Sequence, residues 1–405
     1  MENLTGKCVV LGITGGIAAY KMANVASALK KAGADVHVIM TENATRFITP
    51  FTFETLTHNK CLVDTFDRHF TYDVHHIALA KAADVILTAP ATADIIAKMA
   101  AGIADDMLTT VTLAAACPKL IAPSMNTAML DNPITADNIE KLRHYGFTII
   151  EPDAGRLACE DVGRGKLPEP SVLVDEICRV IACPHDMTGL RVTVTAGPTR
   201  EALDPVRFLS NNSTGKMGYA VARAAMLRGA DVTLITGPTA LPPVPHTRVV
   251  PVISAKDMFD AVRSALPETD ILIKSAAVAD YRPAAVSEQK IKKKDGELSL
   301  SLDKTDDILA WCGSHRRPDQ YLCGFSMETE NMLENSRRKL EKKGLDMIAA
   351  NNVKTAGAGF AVDTNVLTLI TPGGADSLPL MSKDEAAHRL LDKILEALPG
   401  MTAGK

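Results

Sequence analysis

The chain has 405 residues, 46% hydrophobic and 23% charged, enough for two apolar cores at ~150 residues per domain. A net charge of −4 and an aromatic share of 4% argue against the basic, ring-bearing surface of a nucleic-acid binder. No apolar run reaches the ~18 residues of a membrane span and no signal peptide opens the chain, so a cytoplasmic protein is expected, its eight scattered cysteines reduced.

In chain order, Cys8-Val9-Val10-Leu11 predicts a buried strand opening onto Gly12-Ile13-Thr14-Gly15-Gly16 and a helix. Gly33-Ala34-Asp35-Val36 then leaves that helix for a second strand. The turn lacks the GxGxxG spacing of a dinucleotide site, and a small phosphate against a helix N-terminus fits it better. Asp84-Val85-Ile86-Leu87 and Lys119-Leu120-Ile121-Ala122 predict further buried strands, and residues 92–116 a helix broken near Gly102. Residues 151–170, rich in Gly, Pro and charge, predict a long loop, either a functional lid or disordered. A helix over 172–181 closes a first domain of residues 1–183, with a linker at 184–188.

The same opening then recurs in a second domain, 189–399, followed by a tail at 400–405. Val192-Thr193-Val194-Thr195 leads into Ala196-Gly197-Pro198-Thr199, a helix, and Gly229-Ala230-Asp231-Val232. Further strands are predicted near 270–273, 321–325 and 346–349. Lys216 follows a glycine, but the spacing is not GxxxxGK[ST], which excludes a P-loop. Continuous apolar strands alternating with helices predict an α/β protein of two doubly wound domains, each with a ligand crevice at the carboxyl ends of its strands.

Behind the first glycine loop come Val74-His75-His76-Ile77-Ala78-Leu79, Ala122-Pro123-Ser124-Met125-Asn126-Thr127-Ala128-Met129 and Ala158-Cys159-Glu160-Asp161-Val162-Gly163. With these segments, residues 5–180 resemble the flavin-dependent cysteine decarboxylases, most closely the phosphopantothenoylcysteine decarboxylase half of bifunctional coenzyme A biosynthesis enzymes. The resemblance implies a flavodoxin-like sheet with FMN contacts at Thr14, Gly15, Gly16, Thr41 and Thr92. It also implies His76 at the flavin, with His75 the less favoured neighbour, Asn126 on the substrate carboxylate, and Cys159 as proton donor on the lid. The chemistry suits a flavin: decarboxylating an N-acyl cysteine leaves a carbanion without an electron sink, and oxidising the thiol to a thioaldehyde creates one. Taken singly, His76 reads as a structural donor, Asn126 as a helix cap and Cys159 as a core thiol; their joint register favours function. Leu130, in place of the family's aromatic residue, and Lys166, in place of its arginine, depart from the pattern.

The second half carries Ala196-Gly197-Pro198-Thr199-Arg200-Glu201, Asp204-Pro205-Val206-Arg207, Ser210-Asn211-Asn212-Ser213-Thr214-Gly215-Lys216-Met217-Gly218 and Lys274-Ser275-Ala276-Ala277-Val278-Ala279-Asp280. Over residues 188–372 it looks like phosphopantothenate–cysteine ligase, the usual fusion partner of the decarboxylase. A carboxylate resists nucleophiles until it is activated, and the resemblance implies CTP as the activating nucleotide, 4′-phosphopantothenate and cysteine as substrates, and Mg²⁺ on the phosphates. By position, Asn211 would stabilise an acyl-cytidylate and Lys290, on a flap, would act as cysteine attacks. Lys274, Ser275, Ala276, Asp280, Asp306, Asp307, Ile308, Leu309, Phe325, Lys339 and Lys343 would line the CTP site, with Asp280 the candidate Mg²⁺ ligand. Lys292 to Lys294 read as solvated surface. Lys304-Thr305-Asp306-Asp307-Ile308 departs from the family's Asn-Pro-Asp-Ile. The resemblance further implies a homo-oligomer, a dodecamer of trimeric flavin domains and dimeric ligase domains. Two competing readings are a second sheet that serves an NADPH reductase, disfavoured by the absent GxGxxG, and a regulatory flavin domain, disfavoured by His76, Asn126 and Cys159 together.

Overall fold

The computed structural model describes residues 3–65, 75–156, 162–292, 299–328, 331–352, 359 and 362–398. The chain divides into two compact units, Met1–Pro184 and His185–Lys405.

In the first unit, β1 (Cys8–Ile13), β2 (Asp35–Met40), β3 (Val85–Ala91), β4 (Lys119–Pro123) and β5 (Thr148–Ile149) form a parallel sheet in the order β2-β1-β3-β4-β5. This is the flavodoxin-type order, whose direction reverses between β1 and β3 and opens a crevice at their carboxyl ends. Val9, Val10, Leu11, Val85, Ile86 and Leu87 are all buried, as both faces of such a strand must be. The helix Met22–Lys31 buries Met22, Val25, Ala26 and Leu29, one apolar stripe at helical spacing. The expected break near Gly102 separates the helices Ala93–Ala101 and Met107–Ala114.

Among the described residues of 151–170, the expected loop contains regular structure. It holds two antiparallel strands, Asp153–Arg156 and Val162–Lys166. Both are short, largely exposed and rich in Gly and Arg, so no apolar alternation marks them in the sequence.

In the second unit, β6 (Arg191–Ala196), β7 (Asp231–Thr236), β8 (Arg248–Pro251), β9 (Ile271–Lys274), β10 (Tyr321–Glu328), β11 (Met347–Asn352), β12 (Leu367–Thr371) and β13 (Gly374–Ser377) form one sheet. Its order is β8-β7-β6-β9-β10-β11-β12-β13. The first six strands run parallel in the doubly wound dinucleotide-fold order, and β12 and β13 extend the sheet antiparallel. The outermost strand, β13, is mostly exposed, and its Asp376 pairs with Lys393 at 2.7 Å. Leu272, Leu322, Ile348 and Ile370 carry the core across the sheet to Met258, Val262 and Cys312 on the covering helices.

Candidate active sites

The first crevice lies where β1 and β3 diverge. Thr14, 1% exposed, donates its hydroxyl to Pro90 O at 2.6 Å and accepts the Thr92 N–H at 3.2 Å, tying the two strand ends together. Thr92 in turn caps the helix Ala93–Ala101, its Oγ1 accepting from Ile95 N–H at 3.4 Å. Thr41, following β2, donates its N–H to Ile13 O at 3.0 Å. Gly15 passes so close to Asn43 that a Cβ would stand 2.6 Å from the asparagine's own. Thr14, Gly15, Gly16, Thr41 and Thr92 therefore gather across three adjoining strand ends. Small residues, hydroxyls and a helix N-terminus make this wall a fit for an anionic cofactor phosphate.

Asn126 caps the helix Thr127–Leu130 through Oδ1, which accepts Ala128 N–H at 2.8 Å. Its neighbours hold the hairpin: Met125 N–H donates to Gly165 O at 3.1 Å and the Thr127 hydroxyl to Arg164 O at 2.8 Å. Gly165, at φ +127°, lets the two backbones meet; a Cβ there would lie 2.1 Å from Met125 O. Cys159 belongs to residues 157–161, outside the described residues. His75 and His76 open a separate helix, His75–Ala82, with His76 half-buried. Leu130 is a core residue, 7% exposed. Lys166 pairs with Glu169 at 3.3 Å, and Glu169 also takes Lys21 at 3.2 Å.

The second unit has two adjoining cavities. One, about 270 Å³, is lined by residues 213–218, by Lys274, Ser275, Ala276, Ala277 and Val278, and by Phe325, Ser326 and Met327. The other, about 390 Å³, is lined by Tyr281, by Lys304, Thr305, Asp306, Asp307, Ile308 and Leu309, and by Lys343. Lys274, Val278 and Asp280 face both. Lys339 reaches Ser326 Oγ at 3.4 Å. Asn211, exposed, donates its amide to Ala277 O at 3.0 Å and Val278 O at 3.3 Å, both on the wall of the first cavity. Lys290 is exposed and lines neither cavity. Thr305, at the departure from the family pattern, ties its loop to the shared wall, its N–H on Asp280 O at 3.0 Å and its hydroxyl on Ala279 O at 2.6 Å.

Burial, reinforced by Lys343 and Lys339 and opposed by Asp280 and Asp307, pushes the Lys274 ammonium down to about 8. Burial would raise Asp307, but the Lys343 ammonium at 2.8 Å and the Ala310 N–H at 3.1 Å outweigh it and hold the carboxyl below its usual range. Cations crowded where they repel one another suit a polyanion that would relieve the repulsion. Asn351, Asn365 and Lys383 also line the first cavity and escaped the sequence reading. Asn351, 6% exposed, donates to Asn365 Oδ1 at 2.8 Å while its own Oδ1 has no protein partner. Lys383, 5% exposed, donates to Gly359 O at 3.0 Å and to Val362 O. All three sit far along the chain from residues 213–218: Asn351 on the main sheet, Asn365 on a separate two-stranded pair and Lys383 at the start of a helix.

Fold and sites define a two-unit α/β enzyme, a flavodoxin-type half joined to a doubly wound half with a cation-rich double cavity. Residues 1–182 match the Flavoprotein family and residues 187–398 the DNA/pantothenate metabolism flavoprotein C-terminal domain. The chain is 47% identical to the coenzyme A biosynthesis bifunctional protein CoaBC of Bacillus subtilis, covering 96% of this chain and 97% of that one. It is 45% identical to that of Vibrio vulnificus strain YJ016, covering 97% and 98%. A crystal structure of the C-terminal domain of a CoaBC is 41% identical and covers 53% of this chain and 98% of that one, with a TM-score of 0.46. The chain belongs to the family of bifunctional coenzyme A biosynthesis enzymes, with a flavoprotein decarboxylase half and a ligase half.

Proposed function

We propose that His185–Lys405 condenses 4′-phosphopantothenate with cysteine, using CTP and Mg²⁺ by way of an acyl-cytidylate. Met1–Pro184 then decarboxylates the product to 4′-phosphopantetheine with FMN. The observation that carries the reading is the pair of cavities meeting at Lys274 and Asp280. Activating one substrate with another requires two sites that share a wall, and here that wall offers an ammonium for phosphate charge and a carboxylate for a divalent cation. Asn211, whose amide is fastened to the same wall, holds the activated acyl group in this reading, a role its attachment there supports.

In the first half, Thr14, Gly15, Gly16, Thr41 and Thr92 hold the flavin phosphate. Bound FMN supplies the reversible hydride acceptor that the thiol-bearing carbon needs. Asn126 holds the substrate carboxylate, Cys159 returns a proton after carbon dioxide leaves, and His76 works at the flavin. The setting is cytoplasmic, with neither nucleic acid nor membrane as partner, and the assembly a homo-oligomer of trimeric flavin units and dimeric ligase units. No helix among the described residues is long and apolar enough to cross a membrane.

Incubating the protein with 4′-phosphopantothenate, cysteine, CTP and Mg²⁺ is expected to release pyrophosphate and give a product of the mass of 4′-phosphopantetheine, from a yellow preparation. Absence of CTP-dependent pyrophosphate release sinks the ligase half. A colourless protein that FMN does not reconstitute sinks the other.

A further inference from the structure

A short hairpin, Arg200–Ala202 paired with Phe208–Ser210, stands outside the main sheet of the second unit. Its base is fixed to the body. Glu201, 4% exposed, accepts the Ala255 N–H at 2.8 Å, at the first residue of the helix Ala255–Ala265, and Arg200 N–H donates to Ile253 O at 2.8 Å. Its second strand runs directly into Asn211 on the cavity wall.

Its tip turns around Asp204, 3% exposed. Oδ1 accepts the N–H groups of Val206 and Arg207, each at 2.8 Å, and Oδ2 accepts Arg207 Nε at 2.9 Å and Nη2 at 2.6 Å. These bonds close the turn. One more leaves it: Ile291 N–H donates to Oδ2 at 3.1 Å, beside Lys290. Arg207 also donates to Ile291 O, and Ser287 N–H to Leu203 O at 3.0 Å. A buried carboxylate is costly unless its lone pairs are filled, and this one spends part of its capacity on a segment more than eighty residues away.

We propose that Asp204 is a positioning residue of the ligase reaction: with Leu203 and Arg207 it clasps the backbone on both sides of Lys290, so that one rigid hairpin sets the spacing between the Lys290 ammonium and the Asn211 amide. This rests on the reading that both residues serve that reaction. In the step concerned, the cysteine nitrogen forms the C–N bond, the bond from the acyl carbon to the cytidylate oxygen breaks with CMP taking the electron pair, and the amine proton passes to solvent. A lysine on an untied surface segment must first find its place; with Ser287 and Ile291 held, only side-chain rotation remains to be fixed.

The test uses full-length protein and follows the half-reactions separately: pyrophosphate release from CTP and 4′-phosphopantothenate, then amide formation on adding cysteine in a single turnover. Asp204→Asn and Ile291→Pro, the second removing the N–H donor while also fixing the backbone at 291 and restricting Lys290 before it, are each expected to slow amide formation by about tenfold or more while pyrophosphate release stays within about twofold. Lys290→Gln is expected to do the same, and the Asp204→Asn/Lys290→Gln double variant to be no slower than Lys290→Gln alone. Equal loss in both half-reactions, or additive losses in the double variant, overturns the positioning role. Normal amide formation in both Asp204→Asn and Ile291→Pro, with Lys290→Gln slow, overturns the clasp alone. Lys290→Gln at the parent rate overturns the reading beneath it.

Discussion

Lys274 is the side chain on which the double cavity turns. An ordinary lysine titrates near 10.5, and this one, at about 8, is held down by burial and by Lys343. A lowered ammonium costs stability in full below about pH 8, where it is charged folded and unfolded alike, and that cost fades as the pH rises from about 8 towards 10.5. Binding a triphosphate reverses the sign, because the anion favours the charged form. Nucleotide affinity is therefore expected to be near its maximum at pH 7 and to fall by about tenfold by pH 9, as the free protein loses the proton. Lys274→Arg, charged throughout, should flatten the profile in a titration followed by calorimetry; an unchanged profile would assign the titration to another group. Lys274 was legible through the family resemblance, and it is the last residue of a buried strand, at a crevice edge. Asn351 and Lys383 were not, since an asparagine next to the end of one strand and a lysine opening a helix carry no local mark of a cavity wall.

At the scale of elements, the hairpin of Asp153–Arg156 and Val162–Lys166 is fastened to the Asn126 segment through its second strand. Gly165 makes that fastening possible, having both a backbone angle that side chains avoid and no room for a Cβ against Met125 O. Gly165→Ala should push the hairpin off the Asn126 segment and lower decarboxylation on the order of 10- to 100-fold, with ligase turnover unchanged in the same preparation. Retention of full decarboxylation would show that the hairpin is not what aligns the site. The main strands were readable because burial on both faces demands unbroken apolar runs. The hairpin was not, because its strands are held by backbone bonds to Met125 and by Thr127 rather than by apolar side chains. The antiparallel pair β12 and β13 escaped for a related reason: register fixes it, and three of the four residues of β13 are exposed.

For the whole molecule, two sheets with separate cores imply two melting transitions rather than one. FMN at about a hundred times its dissociation constant should stabilise one unit by ~2.7 kcal/mol, raising one transition by roughly 5–10 °C, and CTP with Mg²⁺ should raise the other. Scanning calorimetry with each ligand in turn checks this; a single transition moved by both would mean that the halves fold as one. The two-fold recurrence of strand, glycine turn, helix and Gly-Ala-Asp-Val made the pair of sheets visible in the chain, since a parallel sheet needs the same local grammar each time it starts.

The outer margins of the second sheet bear on how the protein behaves while crowded and newly made. One margin, β8, ends in Pro251, which has no N–H to offer a further strand, and the other, β13, is four residues long with Asp376 held by Lys393. An eight-stranded sheet with open, apolar rims would seed fibrous association with its own copies. With one rim short of a donor and the other brief and charged, this sheet stops where its chain stops.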